Sequence, residues 1–201
     1  MALLFEPENL LPKEGIAIYH GVVFNEKEAT RICNELMNTI PWKQDEVFLF
    51  GKKIITKRKV AWFADAGIAY TYTGVKKSGL QWTEALLEIK QKVEAITGAN
   101  YNACLLNLYH EGEEGMGWHQ DNEKEIVAES SIASLSFGAN RKFAFKHATT
   151  NERLDIELAN GSLLDMKGVI QQHWYHSLPK TKKVKQLRIN LTFRLMYSSI
   201  I

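Results

Sequence analysis

From residue 100 onward, polar and apolar residues alternate with a period of two, and this pattern constrains the fold more than any other feature of the chain. A period of two is typical of β-strands that pack one face against a core. The alternating runs extend from 101 to 109, 132 to 137, 142 to 146, 154 to 158, 162 to 166 and 188 to 195. Turn residues such as Gly138 and the Asn160-Gly161 pair separate the runs at short intervals. This spacing predicts an antiparallel sandwich or barrel.

Two segments in the first half of the chain have helical periodicity instead. The first begins after Asn25, a favourable N-cap residue, and ends near Pro41. The second is predicted at about 83–97, where Gly98 supplies a stop. We therefore predict an α+β protein with a double-stranded β-helix (jelly-roll) core and flanking N-terminal helices, in which residues 1–201 form a single domain.

Composition excludes several classes of protein. The chain is 45% apolar and 24% charged, with a net charge of +2, which is an ordinary globular balance. No run approaches the roughly 18 unbroken apolar residues of a membrane span, and the N-terminus is acidic where a secretory signal needs basic residues. Cys33 and Cys104 form neither a disulfide framework nor a zinc motif. We expect a soluble, intracellular monomer, cytoplasmic in a bacterium or nuclear in a eukaryote.

The positive charge is concentrated in two segments. Residues 51–59 contain five lysines and arginines, and residues 180–185 contain four lysines. Such runs suit phosphate groups, although a solvated surface is the commoner explanation for any one of them.

A metal site is suggested by the segment Trp118-His119-Gln120-Asp121. His119 and Asp121 are two residues apart, so on extended backbone their side chains project to the same side. His176, 55 residues after Asp121, could arrive from another strand. Two imidazoles and one carboxylate leave three octahedral positions open, as an iron oxygenase needs for a keto acid and dioxygen. Four other histidines could compete for the third place, namely His20, His110, His147 and His173.

A dicarboxylate pocket is suggested by the last alternating run. Four polar residues share one face of this strand: Arg188, Asn190, Thr192 and Arg194. Two arginines flanking an amide and a hydroxyl could bind a dicarboxylate inside the barrel, although a polar strand face is more often simply solvated. Asn107 and Tyr109 form another same-face pair and could donate hydrogen bonds to the same ligand.

Four sequence motifs together resemble the signature of the AlkB family of nucleic-acid dealkylases. In chain order they are NxY, HxD, a later histidine and RxNxTFR near the chain end. The resemblance covers most of the chain. The segments most similar to the branch that repairs duplex DNA are Phe50-Gly51-Lys52, Asp65-Ala-Gly67, Tyr70-Thr-Tyr72, 132–138 and 173–179. Two positions depart from the animal duplex-repair enzymes: Asn122 stands where they carry an acidic residue, and Tyr72 replaces a phenylalanine.

The resemblance implies roles for individual residues. His119, Asp121 and His176 would be iron ligands. Arg188 would hold the distal carboxylate of 2-oxoglutarate, and Arg194 would lie near the metal-proximal one. The residues implied to assist at 2-oxoglutarate are Asn107, Tyr109, Asn190 and Thr192. For the substrate, Tyr70 and Tyr72 would line the base pocket, with Asn122 and Glu123 at its polar edge. Phe50 would be a wedge in the base stack, with Gly51 beside it. Lys52 and Arg58 would hold phosphates.

The function that the resemblance implies is oxidative DNA dealkylation. Iron(II), 2-oxoglutarate and dioxygen would act together on N-methyl lesions, with 1-methyladenine and 3-methylcytosine as substrates and formaldehyde released. A nucleotide-recognition region at about 41–80 would contact alkylated DNA, most naturally duplex DNA because a wedge suits base flipping. Three alternatives are the same chemistry on RNA or single-stranded DNA, a non-enzymatic nucleic-acid-binding module, and a hydroxylase of proteins or small molecules.

Overall fold

The computed structural model describes residues 8–49, 52–72 and 75–198. In chain order, the strands are β1 (Ile16–Val22), β2 (Lys43–Leu49), β3 (Lys52–Ala64), β4 (Ala69–Tyr72), β5 (Val75–Ser78), β6 (Ala103–Tyr109), β7 (Met116–His119), β8 (Ile132–Gly138), β9 (Arg141–His147), β10 (Arg153–Leu158), β11 (Ser162–Lys167), β12 (Trp174–Leu178) and β13 (Arg188–Arg194). The helices are α1 (Glu26–Thr39), α2 (Glu84–Thr97) and α3 (Ile170–His173).

Two antiparallel sheets form the core of the fold. The major sheet has seven strands in the order β1-β11-β8-β13-β6-β3-β2, and the minor sheet has four in the order β10-β9-β12-β7. A separate two-stranded sheet pairs β4 with β5. Strands distant in sequence are neighbours in both large sheets, which is the arrangement of a jelly-roll. The predicted fold class is therefore confirmed.

The helices α1 and α2 cover one face of the major sheet. Asn25 closes a capping box at the start of α1, and Thr83 caps α2, which ends at Gly98 in the left-handed conformation with a φ of 70°. The apolar stripes of both helices share one buried cluster with residues of β6, β8 and β13. This packing holds the central strands of the major sheet rigidly in place.

Strand β13 lies in the middle of the major sheet, between β6 and β8. Its apolar residues Ile189, Leu191 and Phe193 are fully buried in the cluster with the helices. Its polar residues consequently face the opposite side, toward the minor sheet. The alternation in this run therefore sorts one set of side chains into the core and the other into the space between the sheets, as predicted.

All six alternating runs are strands, and both predicted helices are present. Within the described residues, seven further strands lie outside these runs, namely β1 to β5, β7 and β12. Strand β1 is nearly continuous in apolar residues, and β7 and β12 have only four and five residues, too few for a period to be recognised. No helix in the described segments is long and apolar enough to span a membrane.

Candidate active site

A cavity of about 370 Å³ lies between the two sheets. Its walls include residues from β3, β6, β7, β8, β9, β11, β12 and β13. All nine residues predicted to bind metal or 2-oxoglutarate line it: Asn107, Tyr109, His119, Asp121, His176, Arg188, Asn190, Thr192 and Arg194. The fold thus brings two separate sequence predictions into one pocket of the size that usually holds a small ligand.

The predicted metal ligands come together at the end of β7. His119 is the last residue of β7 and is paired in register with His176 of β12. Asp121 follows two residues later, beyond the strand. Its Oδ1 lies 3.7 Å from Nε2 of His119 and 3.9 Å from Nε2 of His176. One nitrogen or oxygen atom from each residue therefore faces a common point, as metal binding requires.

The hydrogen bonding of His119 leaves the correct nitrogen free. Its Nδ1 lies 2.8 Å from the carbonyl oxygen of Gly117. A carbonyl only accepts, so Nδ1 carries the proton and the Nε2 lone pair faces Asp121. The ring of His176 is held by stacking against Phe143, with 5.5 Å between ring centroids. Such support around ligands is typical of metal centres.

The protonation states also suit metal binding. Burial alone would raise the pKa of Asp121, but Arg194, His176 and His119 outweigh it and lower the pKa to about 2. Burial lowers the pKa of His176 to about 3, against the opposing effect of Asp121. Asp121 is therefore an anion and His176 a neutral imidazole at pH 7, which are the forms that ligate a metal.

Two histidines and one carboxylate fit iron(II). This donor set, with open coordination positions, is the facial triad of non-haem iron oxygenases, whereas a structural zinc site would use four protein ligands. The cavity beside the triad leaves room for a second ligand. The residues present thus match both the metal and a co-substrate that chelates it.

Arg188 is a buried cation that has no carboxylate partner among the described residues. Its side chain is only 3% exposed, and its Nη2 donates to Ser136 Oγ and Asn190 Oδ1. Within the described residues no carboxylate lies in ion-pair range of Arg188, and its Nε has no hydrogen-bond partner. Burial lowers the pKa of Arg188 to about 10, so the group stays charged at pH 7. An uncompensated buried charge is costly, and the carboxylate of a bound ligand would neutralise it.

The predicted helper residues surround Arg188. Tyr109 lies opposite Arg188 in the register of β6 and β13, with the guanidinium 5.6 Å from its ring centroid. Asn190 donates from Nδ2 to Thr192 Oγ1, and its Oδ1 accepts from Arg188. Asn107 has a buried Oδ1 without a hydrogen-bond partner among the described groups. Asn107 and Tyr109 line the cavity, where the amide N–H and the phenol hydroxyl can donate to a carboxylate or keto oxygen.

Arg194 lies at the metal end of the same strand face. Its Nη2 donates to Asp121 Oδ2 over 2.7 Å, so each oxygen of that carboxylate has a different neighbour. The two arginines stand six residues apart on β13, one beside the metal triad and one at the far end of the pocket. This arrangement suits a dicarboxylate whose two ends differ in environment.

The predicted substrate residues are only partly described. Phe50 and Gly51 lie outside the described residues, and for Lys52, Tyr70 and Tyr72 only the backbone is described, on β3 and β4. Glu123 lines the cavity, whereas Asn122 is exposed beside it.

The position of Arg58 differs from the expectation that it holds a phosphate at the surface. Its side chain is buried in the cavity wall, where Nη1 donates to the sulfur of Met116. Arg58, Val60 and Trp62 occupy alternate positions of β3 and all line the cavity. The sequence contains this alternation, but the lysines around Arg58 favoured a surface interpretation of the segment. Trp62 was consequently missed as a pocket residue.

Two further groups near the triad had no sequence signal. Phe143 lines the cavity from β9, and Gln171 in α3 accepts the backbone N–H of Asp121. Both belong to elements distant in sequence from HxD. Their proximity depends on strand pairing, which periodicity alone does not give.

Other histidines that could have supplied the third ligand lie elsewhere. His110 contacts Glu114, whereas His147 and His173 form a separate cluster with Glu14. In that cluster, Nδ1 of His147 accepts the backbone N–H of Thr150, so Nε2 carries the proton and donates to Glu14 over 2.7 Å. A nitrogen that donates a proton cannot also ligate a metal. The cluster therefore joins the N-terminal segment to the minor sheet.

Comparison with known proteins supports this description of the site. Residues 15–194 match the 2OG-Fe(II) oxygenase superfamily. The DNA oxidative demethylase ALKBH2 of Homo sapiens is 38% identical over 192 residues, covering 90% of this chain and 74% of the relative. The mouse (Mus musculus) ALKBH2 is 38% identical over 195 residues, covering 92% and 82%. The human alpha-ketoglutarate-dependent dioxygenase alkB homolog 3 is 34% identical over 192 residues, covering 90% and 66%.

A solved structure agrees on the fold. The structure of OsALKBH1 superposes with a TM-score of 0.58 at 15% identity, covering 92% of this chain and 99% of that one. With the matching family extending across nearly the whole chain, the predicted enzyme class and its cofactors, iron(II), 2-oxoglutarate and dioxygen, are confirmed. This chain belongs to the AlkB family of the 2OG-Fe(II) oxygenase superfamily.

Proposed function

We propose that this enzyme repairs DNA by oxidative dealkylation, removing N-methyl groups from 1-methyladenine and 3-methylcytosine. The observation that carries the proposal is the convergence of His119, Asp121, His176 and Arg188 on one cavity. This convergence occurs in a chain that is 38% identical to a DNA oxidative demethylase. The triad supplies the place for iron(II), and Arg188 supplies the charge for 2-oxoglutarate.

When bound, iron(II) and 2-oxoglutarate with dioxygen supply the hydroxylation of an N-methyl carbon, and the hydroxylated methyl group then leaves as formaldehyde. His119, Asp121 and His176 would hold the metal at one end of the cavity. Arg188 would fix the distal carboxylate of 2-oxoglutarate, and Arg194 would lie beside its metal-proximal end. Both sheets contribute to the walls of this cavity and would shield the bound co-substrate from bulk water.

The base would enter beside the triad. N-methylation at these positions makes the base cationic, and aromatic faces and a carboxylate stabilise a cation. Trp62 and Glu123 line the described part of the cavity. Tyr70 and Tyr72 would complete the aromatic wall, with Asn122 at the polar edge. These residues would hold the methyl group toward the metal.

Residues 41–80 would form the nucleotide-recognition region of a single domain extending over residues 1–201, and the enzyme would act as a monomer on duplex DNA. A base must leave the duplex before it can reach the cavity. Phe50 would fill the gap in the stack, with Gly51 allowing a close approach and Lys52 contacting phosphate. Arg58, being buried, would serve the cavity wall rather than the phosphates.

The substrate proposal is tested by measuring formaldehyde release from methylated duplex and single-stranded oligonucleotides with wild type and Phe50→Ala. We expect the variant to lose most duplex activity and to keep its single-strand activity. Tyr197→Ala removes an exposed aromatic side chain outside the proposed recognition region and serves as the matched control. Equal loss on both substrates, or no loss, would contradict the wedge. Activity on single-stranded DNA or RNA alone would contradict duplex repair and would support a demethylase of RNA or single-stranded DNA.

A further inference from the structure

Asp121 depends on side-chain contacts for its position because it does not belong to a strand. Strand β7 ends at His119, and Asp121 lies in the loop that follows. Arg194 holds its Oδ2, and the Oε1 of Gln171 accepts its backbone N–H over 2.9 Å. With both points held, Oδ1 faces the two histidine nitrogens.

Gln171 connects the two segments that carry the metal ligands. It lies in α3, which directly precedes β12, the strand of His176. Its hydrogen bond reaches across 50 residues of sequence to the loop after β7. Within α3 there is no side-chain cap, so this bond is one of the contacts that fix the short helix against the site.

The orientation of the Gln171 amide follows from its partner. A backbone N–H requires an acceptor, so Oε1 faces Asp121 and Nε2 occupies the other position. Nε2 is buried and has no hydrogen-bond partner in the part of the chain that the structure describes. An unpaired buried amide is costly, which indicates that the side chain is held in place for the bond to Asp121.

We propose that Gln171 is a positioning residue for the metal centre, acting through the backbone of Asp121. This inference rests on the proposed metal site. Outer contacts that orient metal ligands typically contribute about 10- to 100-fold in metal affinity. Loss of the Gln171 acceptor lets the loop rotate, and Oδ1 then no longer faces His119 and His176.

The test is the dissociation constant for Mn(II), measured anaerobically by calorimetry on the full chain. Gln171→Met keeps the length and volume of the side chain but removes the acceptor, and we expect about 10- to 100-fold weaker binding. Gln171→Glu keeps an acceptor oxygen and should bind nearly as wild type does. Gln172→Met, the exposed neighbour in α3, is the matched control and should change nothing.

A second readout separates positioning from a general structural role. The visible absorption of the Fe(II)–2-oxoglutarate complex should shift in Gln171→Met and return in Gln171→Glu, while far-ultraviolet circular dichroism stays unchanged. If Gln171→Met does not fold, Gln171→Asn replaces it, because its amide is one carbon too short to reach Asp121. Unchanged Mn(II) affinity in Gln171→Met, or Gln171→Asn in its place, overturns the inference. Unchanged affinity in Asp121→Ala would instead overturn the metal site itself.

Discussion

At the scale of single residues, the proposed role of Arg188 accounts for how the pocket would select an anionic ligand. A guanidinium buried between two β-sheets is unfavourable unless an anion neutralises it. Ser136 and Asn190 satisfy some of its hydrogen bonds but supply no charge. The charge is therefore available to a carboxylate that enters the cavity, and the cost of burying it is recovered only when that ligand is bound.

Arg188→Met should abolish most of the stabilisation that 2-oxoglutarate gives to the folded protein. Ligand at a hundredfold excess over its dissociation constant stabilises by about 2.7 kcal/mol, so wild type should show a clear rise in Tm with 2-oxoglutarate and Mn(II) under anaerobic conditions. The variant should keep its Mn(II) affinity but lose this rise. Arg31→Met, which removes an exposed arginine from α1, is the control. An undiminished rise in Arg188→Met would contradict the assigned role.

The sequence predicted the candidate ligand-binding residues better than the residues that hold them in position. Alternation placed Arg188 and Arg194 on one face of one strand, and the HxD spacing paired His119 with Asp121. Gln171 and Phe143 were not predictable in this way. They come near the triad only because β12 pairs with β7 and β9, and such pairings are long-range properties of the fold.

At the scale of elements, Arg141 joins the segments that flank the triad. It begins β9, is almost fully buried, and donates from Nη2 to the carbonyl oxygens of Gly112, Glu114 and Pro179. Two of these carbonyls precede β7, and the third follows β12. The positions of both histidine strands therefore depend on one guanidinium.

Arg141→Met should lower the free energy of unfolding by roughly 3 kcal/mol, because several buried carbonyls lose their donor at once. Denaturant unfolding measures the loss. Relative to wild type, the variant should exchange amide hydrogens faster in residues 110–116, whereas exchange in α2 should change less. Lys142→Met, an exposed neighbour with a surface ion pair to Asp155, should cost less than about 1 kcal/mol. Equal costs for the two variants would show that Arg141 does not hold these segments.

The cluster of Glu14, His147 and His173 is expected to stabilise the fold and not to bind a metal ion. Glu14→Ala leaves the buried Nε2–H of His147 unpaired and should lower the free energy of unfolding by about 1–3 kcal/mol. Metal stoichiometry, measured by mass spectrometry of the native protein, should stay at one ion per chain in both wild type and variant. A second ion in wild type that Glu14→Ala removes would show that the cluster binds metal instead.

At the scale of the whole molecule, the site requires both sheets. The minor sheet supplies His119 and His176, and the major sheet supplies Arg188 and Arg194. Two helices on the outer face of the major sheet hold β13 in place. The alternating runs predicted β13 but not β7 or β12, which carry the two histidines. The division into two sheets followed from the jelly-roll expectation rather than from any single run.

The most direct test of the account compares three products of one reaction. Wild-type enzyme with iron(II), 2-oxoglutarate and duplex DNA containing 1-methyladenine should form succinate, formaldehyde and restored adenine in equal amounts. Omission of 2-oxoglutarate, or the change Asp121→Ala in a folded protein, should abolish all three. Restored adenine in the Asp121→Ala variant would contradict the assigned metal centre, and succinate without restored base in wild type would contradict the assigned substrate.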